Sequence, residues 1–226
     1  MHARTWTAEE FASSRETWDR LLAASDADPL FMSWDWQWRW WRHHADALGA
    51  TLHLLAIYTP AGELVGLAPF YSRTVVVRRL FTVCRMELIG IAWRNSQAVF
   101  SDYLDLIAVR ALRDAVVVCV AGWLAGAQFW QELVLACARP DSLAAQLART
   151  GLAGLTYVRE VDPLSAWCAR LPARFAAYLE ALESDARRKL FNQRRRLAQP
   201  TIQRATQAQV AEFFEELWEY TDQRWG

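Results

Sequence analysis

Ser101-Asp-Tyr-Leu-Asp-Leu106 sets a carboxylate beside a phenol at the entrance to an otherwise apolar run. Read as a strand from Tyr103 to Val109, the segment alternates its side chains, so Tyr103 and Asp105 share one face while Asp102 and Leu104 take the other. A carboxylate that accepts a proton and a phenol that donates a hydrogen bond are the working parts of general acid–base catalysis, which makes Asp102 and Tyr103 the candidate catalytic pair. The same spacing suits a structural use as well, with Asp102 capping a turn and Tyr103 half-buried.

Two other clusters carry chemistry-bearing side chains. Trp34-Asp-Trp-Gln-Trp-Arg-Trp-Trp41 holds five of the thirteen tryptophans. As a strand it would line Trp34, Trp36, Trp38 and Trp40 along one face, as a sugar-stacking platform does. Ser33 is placed to cap a helix instead, and on a helix Trp34, Trp38 and Trp41 share a face with Trp36 and Trp40 nearly opposite. One face then belongs to the core, and Trp36 and Trp40 are the candidate ligand-facing pair. From Asp185 to Arg196 there are six Arg and Lys against one acid. That helix is either a solvated face or an anion-binding surface in which Arg187, Arg188 and Lys189 hold a phosphate or polyanion.

Other chemistries lack their residues. His43 and His44 are adjacent and diverge, with His53 the only other nearby imidazole, so no metal is expected. There is no G-x-S-x-G elbow, Walker loop or G-x-G-x-x-G turn. Cys84, Cys119, Cys137 and Cys168 are widely spaced in apolar surroundings, which suits reduced thiols in a cytoplasmic protein. Formal net charge is zero, with 25 basic and 25 acidic residues, which argues against nucleic acid as a partner. The apolar run from Ala115 to Ala125 is about half of the roughly 20 residues that cross a bilayer, and the N-terminus lacks a signal-peptide core. No integral membrane segment is expected.

The elements that must position these residues follow from periodicity and punctuation. Helices are expected over Glu9–Ala24, from Ser33 to about Ala47, over Ala111–Leu124, over Ser142–Arg149 with Asp141 as N-cap, from Pro172 to Leu182, and from a Ser184 cap to Leu197. Strands are expected at Leu52–Tyr58 and Glu63–Tyr71, joined as an antiparallel hairpin through Thr59-Pro-Ala-Gly62, with Pro69 marking a bulge or an unpaired edge. Further strands are expected at Arg85–Ile91, Tyr103–Val109, Glu132–Ala136 and Leu155–Val161. Pro200 closes the basic helix. Thr201–Thr206 reads as a strand and Ala208–Trp225 as a capped amphipathic helix, so residues 1–198 form one lobe and 199–226 the first strand and helix of an incomplete second. The whole is an α/β chain, a mixed sheet with helices on both faces.

Taken in order, several segments resemble the cellulose-biosynthesis (CelD/BcsL) type of GNAT-like acetyltransferases, themselves related in fold to Fem peptidyltransferases. The matching pieces are Pro29-Leu-Phe-Met-Ser-Trp34, Trp40-Trp-Arg-His43, Leu52–Tyr58, Gly62-Glu-Leu-Val-Gly-Leu-Ala-Pro-Phe-Tyr71 and Ser101–Leu106, followed by Tyr178–Ser184, Arg187-Arg-Lys-Leu190 and Arg194-Arg-Arg-Leu197. The resemblance covers about residues 29 to 225. It implies two GNAT-like lobes and acyl transfer, from acetyl-CoA or a similar donor, to an amine or hydroxyl on a small molecule or glycan precursor in exopolysaccharide or cell-envelope metabolism. Tyr71, within a matching piece, joins Trp36, Trp40 and the three basic residues as a substrate-binding candidate. The Arg/Gln-x-x-Gly-x-Gly/Ala loop that cradles a diphosphate at a helix N-terminus is absent; Arg149-Thr-Gly-Leu-Ala-Gly154 has the wrong spacing. A non-catalytic glycan- or partner-binding domain is the alternative, as is an inactive fragment that self-associates through exposed apolar surface including Trp218 and Trp225.

Overall fold

The computed structural model describes residues 1–78, 80–94, 97–150, 171–196 and 203–225. The chain divides into two compact units, Met1–Glu160 and Val161–Gly226, where the sequence reading put its boundary at 198/199.

The first unit is built on strands β1 (His2–Trp6), β2 (Thr51–Tyr58), β3 (Leu64–Val77), β4 (Phe81–Leu88), β7 (Ile107–Ala108) and β8 (Glu132–Val134), with β5 (Ile91–Arg94) and β6 (Gln97–Phe100) forming a separate hairpin. The sheet runs β1-β2-β3-β4-β8, and β7 takes the β3 edge ahead of β4. Every pair in this sheet is antiparallel except β4 with β8, which runs parallel over Arg85–Glu87 and Glu132–Val134. Residues 54–57 and 65–73 are buried without alternation, because helices cover both faces of the central strands. This is a mixed sheet flanked by helices, an α/β fold.

Helix α3 (Trp34–Leu48) lies over the face bearing Tyr71, through Trp40 and Trp41. Helix α4 (Arg113–Gly126) covers the opposite face, and Gly66 lets it sit close. A Cβ at Gly66 would stand 2.8 Å from a Val116 methyl, nearer than real carbons approach. Helices α1 (Ala8–Ser13) and α2 (Arg15–Ala23) pack with α3 through Phe11, which stacks on Trp18 at 5.2 Å and meets Trp38 edge-on at 5.1 Å. Helix α5 (Leu143–Arg149) follows β8.

Several sequence expectations change. The helix over 9–24 is two helices, because Ser14 turns its hydroxyl back onto the Phe11 carbonyl and ends the first. The N-terminus is strand β1, fixed by pairing with β2 that no local pattern announces. Pro69 sits in a paired strand, opposite Leu54, and the irregularity lies between Ile57 and Tyr58. Its carbonyl accepts from Ile89, so its missing N–H faces the gap between the β7 and β4 pairings, where no donor is needed. The strand expected over 103–109 shrinks to Ile107–Ala108, since Tyr103 takes φ 55° and breaks the extended run. Ser142, not Asp141, caps α5 by accepting from the Ala145 N–H.

In the second unit, α6 (Phe175–Ala181) starts later than Pro172, α7 (Ser184–Arg196) has Ser184 as its first helical residue, and α8 (Val210–Trp225) follows a capping box between Thr206 and Gln209. Residues 203–206 are not a strand. The strand expected at Leu155–Val161 lies outside the described residues, as do Cys168, Leu197, Pro200 and most of the 149–154 segment. Among the described residues, no helix is long and apolar enough to cross a membrane.

Candidate functional site

Where β4 and β8 part, three segments converge. The first is α3, whose N-terminal turn is held by the Ser33 hydroxyl accepting from the Trp36 N–H. Four of its five tryptophans serve packing: Trp34 donates to the Phe11 carbonyl at 2.8 Å, Trp38 lies against Phe11, and Trp40 and Trp41 bracket Tyr71. Trp36 differs. Its indole N–H reaches the Ser101 hydroxyl at 2.8 Å.

The second segment is Ser101–Leu106. Ser101 is fully buried, and its N–H donates to the Gly90 carbonyl. Gly90 has φ 125°, and a Cβ there would fall 2.7 Å from Leu104 and 3.1 Å from the Ser101 hydroxyl, so only glycine fits. Asp102 and Tyr103 are exposed, while Asp105 is buried. Asp105 bonds the N–H groups of Leu106 and of Ala144 at the start of α5, each at 2.8 Å. Burial pushes its carboxyl up to about 6, against the pull of those N–H groups. The exposed pair therefore rests on a buried anchor that ties the segment to α5. Phe31 links the two segments, edge-on to Trp36 at 5.1 Å and 6.3 Å from the Tyr103 ring.

The third segment follows β8. Cys137 has φ 56°, and Tyr103 has φ 55°. Non-glycine residues held in this region cost of order 1–3 kcal/mol each and gather at functional sites. Burial first, and then the Asp102 carboxylate, raises the Cys137 thiol. Both effects disfavour the thiolate form at Cys137.

Of the sequence candidates, Trp36, Asp102 and Tyr103 are brought together. Trp40 and Tyr71, expected to face a ligand, are in the core, 5% and 0% exposed. The Tyr71 hydroxyl lies 2.8 Å from Glu87 and 2.7 Å from the Ile91 carbonyl, and Arg73 pairs with Glu87 at 2.7 Å. Burial, and then the Glu87 charge, holds the phenol far above its ordinary value, so Tyr71 is a structural donor. Arg187, Arg188 and Lys189 lie on α7 in the second unit. Sequence reasoning missed Ser101, Phe31 and Cys137. A positive φ at a non-glycine residue leaves no mark on the sequence.

The N-terminal end of α4 does not fit as a diphosphate cradle. Arg110 and Arg113 both bind Asp26 there, at 2.7 and 2.5 Å, and Arg110 also donates to the Ser25 carbonyl. These bonds hold Asp26 below the usual carboxylate range and occupy both guanidinium groups. On the sheet face under α4, His53 meets Ser72 at 2.9 Å and stacks on Phe129 at 4.5 Å; burial lowers its pKa. No acid orients it among the described residues. No group of three His, Cys, Asp or Glu side chains that could hold a metal ion occurs among them either.

The sequence matches no protein-family model and no curated protein. Solved structures give loose likenesses. A mutant of the BH1408 protein from Bacillus halodurans is 9% identical with a TM-score of 0.40, over 74% of this chain and 100% of its own. The TTHA1254 protein of Thermus thermophilus is 17% identical at 0.31, over 74% and 100%. A Trypanosoma brucei acetyltransferase is 11% identical at 0.34, over 72% and 99%. At these scores no function passes from them to this chain.

Proposed function

We propose that the chain is the acceptor-side lobe of a GNAT-like acyltransferase, in which Asp102 takes the proton of an attacking amine or hydroxyl and the Tyr103 hydroxyl donates a hydrogen bond to the reacting group. The observation that carries this reading is the exposure of a carboxylate and a phenol on a segment held in strained backbone geometry, beside a second strained residue, where the two parallel strands end. Ligands of α/β sheets bind beyond the carboxyl ends of such strands. Direct attack on an acyl donor needs no enzyme nucleophile, in keeping with a Cys137 thiol that burial pushes up.

The sequence resemblance supplies the finer terms. The donor would be acetyl-CoA or a related thioester, bound away from the α4 end, which Asp26 engages. The acceptor would be a small molecule or glycan precursor of exopolysaccharide or envelope metabolism, handled in the cytoplasm. A non-catalytic binding domain is the second reading, favoured by that same engagement of Arg110 and Arg113.

Thiol release from acetyl-CoA, followed with a panel of amines and sugar alcohols, tests the proposal. Acceptor-dependent release that needs Asp102 supports it. Binding of an acceptor without any release supports the non-catalytic reading instead.

A further inference from the structure

The second unit carries two surfaces that the proposed reaction does not use. Helix α8 is strongly two-sided. At about 100° per residue, Val210, Phe213, Phe214, Leu217, Trp218 and Tyr220 fall in one arc, while Glu212, Glu215, Glu216, Glu219 and Asp222 fill the opposite one. The apolar arc is open, with Phe214 61%, Leu217 59% and Trp218 64% exposed.

In the same unit, α6 and α7 border a groove of about 450 Å³ lined by Leu179, Ser184, Arg187, Arg188, Leu190 and Phe191. Large apolar side chains and two guanidinium groups share its lining. Arg188 meets Asp185 at 3.2 Å, and both side chains are mostly exposed, so that pairing is weak and exchangeable.

The two helices complement each other in charge. Six basic residues and one acid lie on α7, and five acids and one base, Arg224, lie on α8. An amphipathic helix enters an apolar groove through anchors spaced i, i+4 and i+7, and Val210, Phe214 and Leu217 have that spacing. Glu215 and Glu216 flank the two edges of the apolar arc, where a basic rim would meet them.

We propose that α8 of one chain docks in the α6–α7 groove of a second copy. The exchange proposed is reciprocal, each copy giving its helix to the other's groove about a twofold axis, which closes the assembly as a dimer. The dimer covers the aromatic arc of α8 in both copies and neutralises the basic rim of both grooves.

Sedimentation velocity on the full chain, from about 1 to about 100 μM, tests this. The expected result is a concentration-dependent dimer. Reversing the helix charges (Glu215→Arg with Glu216→Arg) weakens it at least roughly tenfold, as does reversing the groove (Arg187→Glu with Arg188→Glu); an equimolar mixture of the two variants restores association. All four side chains are exposed, so folding is retained, which far-UV circular dichroism checks. Where either double reversal unfolds, Glu215→Gln with Glu216→Gln gives the same reading with a smaller shift. A wild-type monomer across the range, a dimer that survives both reversals, or a mixture that stays monomeric would overturn the proposal. A monomer whose α8 amides are protected from hydrogen exchange would show docking within one chain, and would also overturn it.

Discussion

The Trp36 indole N–H donates to the Ser101 hydroxyl across 2.8 Å, tying the first turns of α3 to the segment that carries Asp102 and Tyr103. Trp36→Phe keeps an aromatic ring and removes the donor, so it should cost about 1 kcal/mol in urea unfolding. Trp34→Phe removes an equally long bond, to the Phe11 carbonyl, and should cost a similar amount. The two part on activity: acyl-transfer turnover should fall for Trp36→Phe and hold for Trp34→Phe. Equal effects on turnover would remove Trp36 from the site.

That contrast also shows what the sequence revealed. The Ser33 cap and the tryptophan helix were legible because capping and a 3.6-residue period are local properties. The β2–β3 hairpin was legible because its turn residues and flanking apolar runs are contiguous. The partition of the tryptophans was not, since Trp40 turns inward only because Tyr71 waits beneath it on β3. Strand β1 is set by a partner some fifty residues away. Asp102 and Tyr103 were picked out by residue type, but the strand drawn through them fails at Tyr103, whose backbone is forced by the tertiary fold. Cys137 was read as a reduced thiol in apolar surroundings, and nothing local tells of the Asp102 charge that acts on it.

Tyr103 holds φ 55° with an exposed ring. Tyr103→Gly relieves the backbone and discards the phenol. Thermal unfolding should show a variant as stable as wild type or more so, by up to about 1 kcal/mol, whose turnover is nonetheless lower. A clear loss of stability would mean that the ring is a packing element rather than a functional one.

Asp105 sets a pH dependence. Its folded value of about 6 lies above the ordinary 3.8, so the folded state holds the proton more tightly than the unfolded state does. The associated stability is full below about pH 4 and is lost as pH rises through about 6. Asp105→Asn keeps an oxygen for the Ala144 and Leu106 N–H groups and has no proton to lose. Between pH 4 and 6 the wild-type melting temperature should fall relative to this variant, by the equivalent of about 2–3 kcal/mol. Parallel profiles would show that Asp105 titrates normally.

Gly90 follows β4 and packs against Ser101 and Leu104 of the segment that carries Asp102 and Tyr103. Gly90→Ala places a methyl 2.7 Å from Leu104 on backbone at φ 125°, so both packing and conformation oppose it. The loss should exceed about 2 kcal/mol in chemical denaturation, whereas Gly122→Ala, with open space around it on α4, should be neutral or mildly stabilising. Similar losses at both glycines would mean that Leu104 and Ser101 move aside freely.

The most direct measurement is the turnover of Asp102→Asn with saturating acyl donor and acceptor, beside wild type. Asp102 is exposed, so the substitution should leave the fold intact by circular dichroism. With the carboxylate as base, turnover should drop by about 10²–10⁴-fold, with the donor KM unchanged. Wild-type turnover in the variant would contradict the assignment of Asp102 as the proton acceptor, and with it the placing of the acceptor site at the end of β4 and β8.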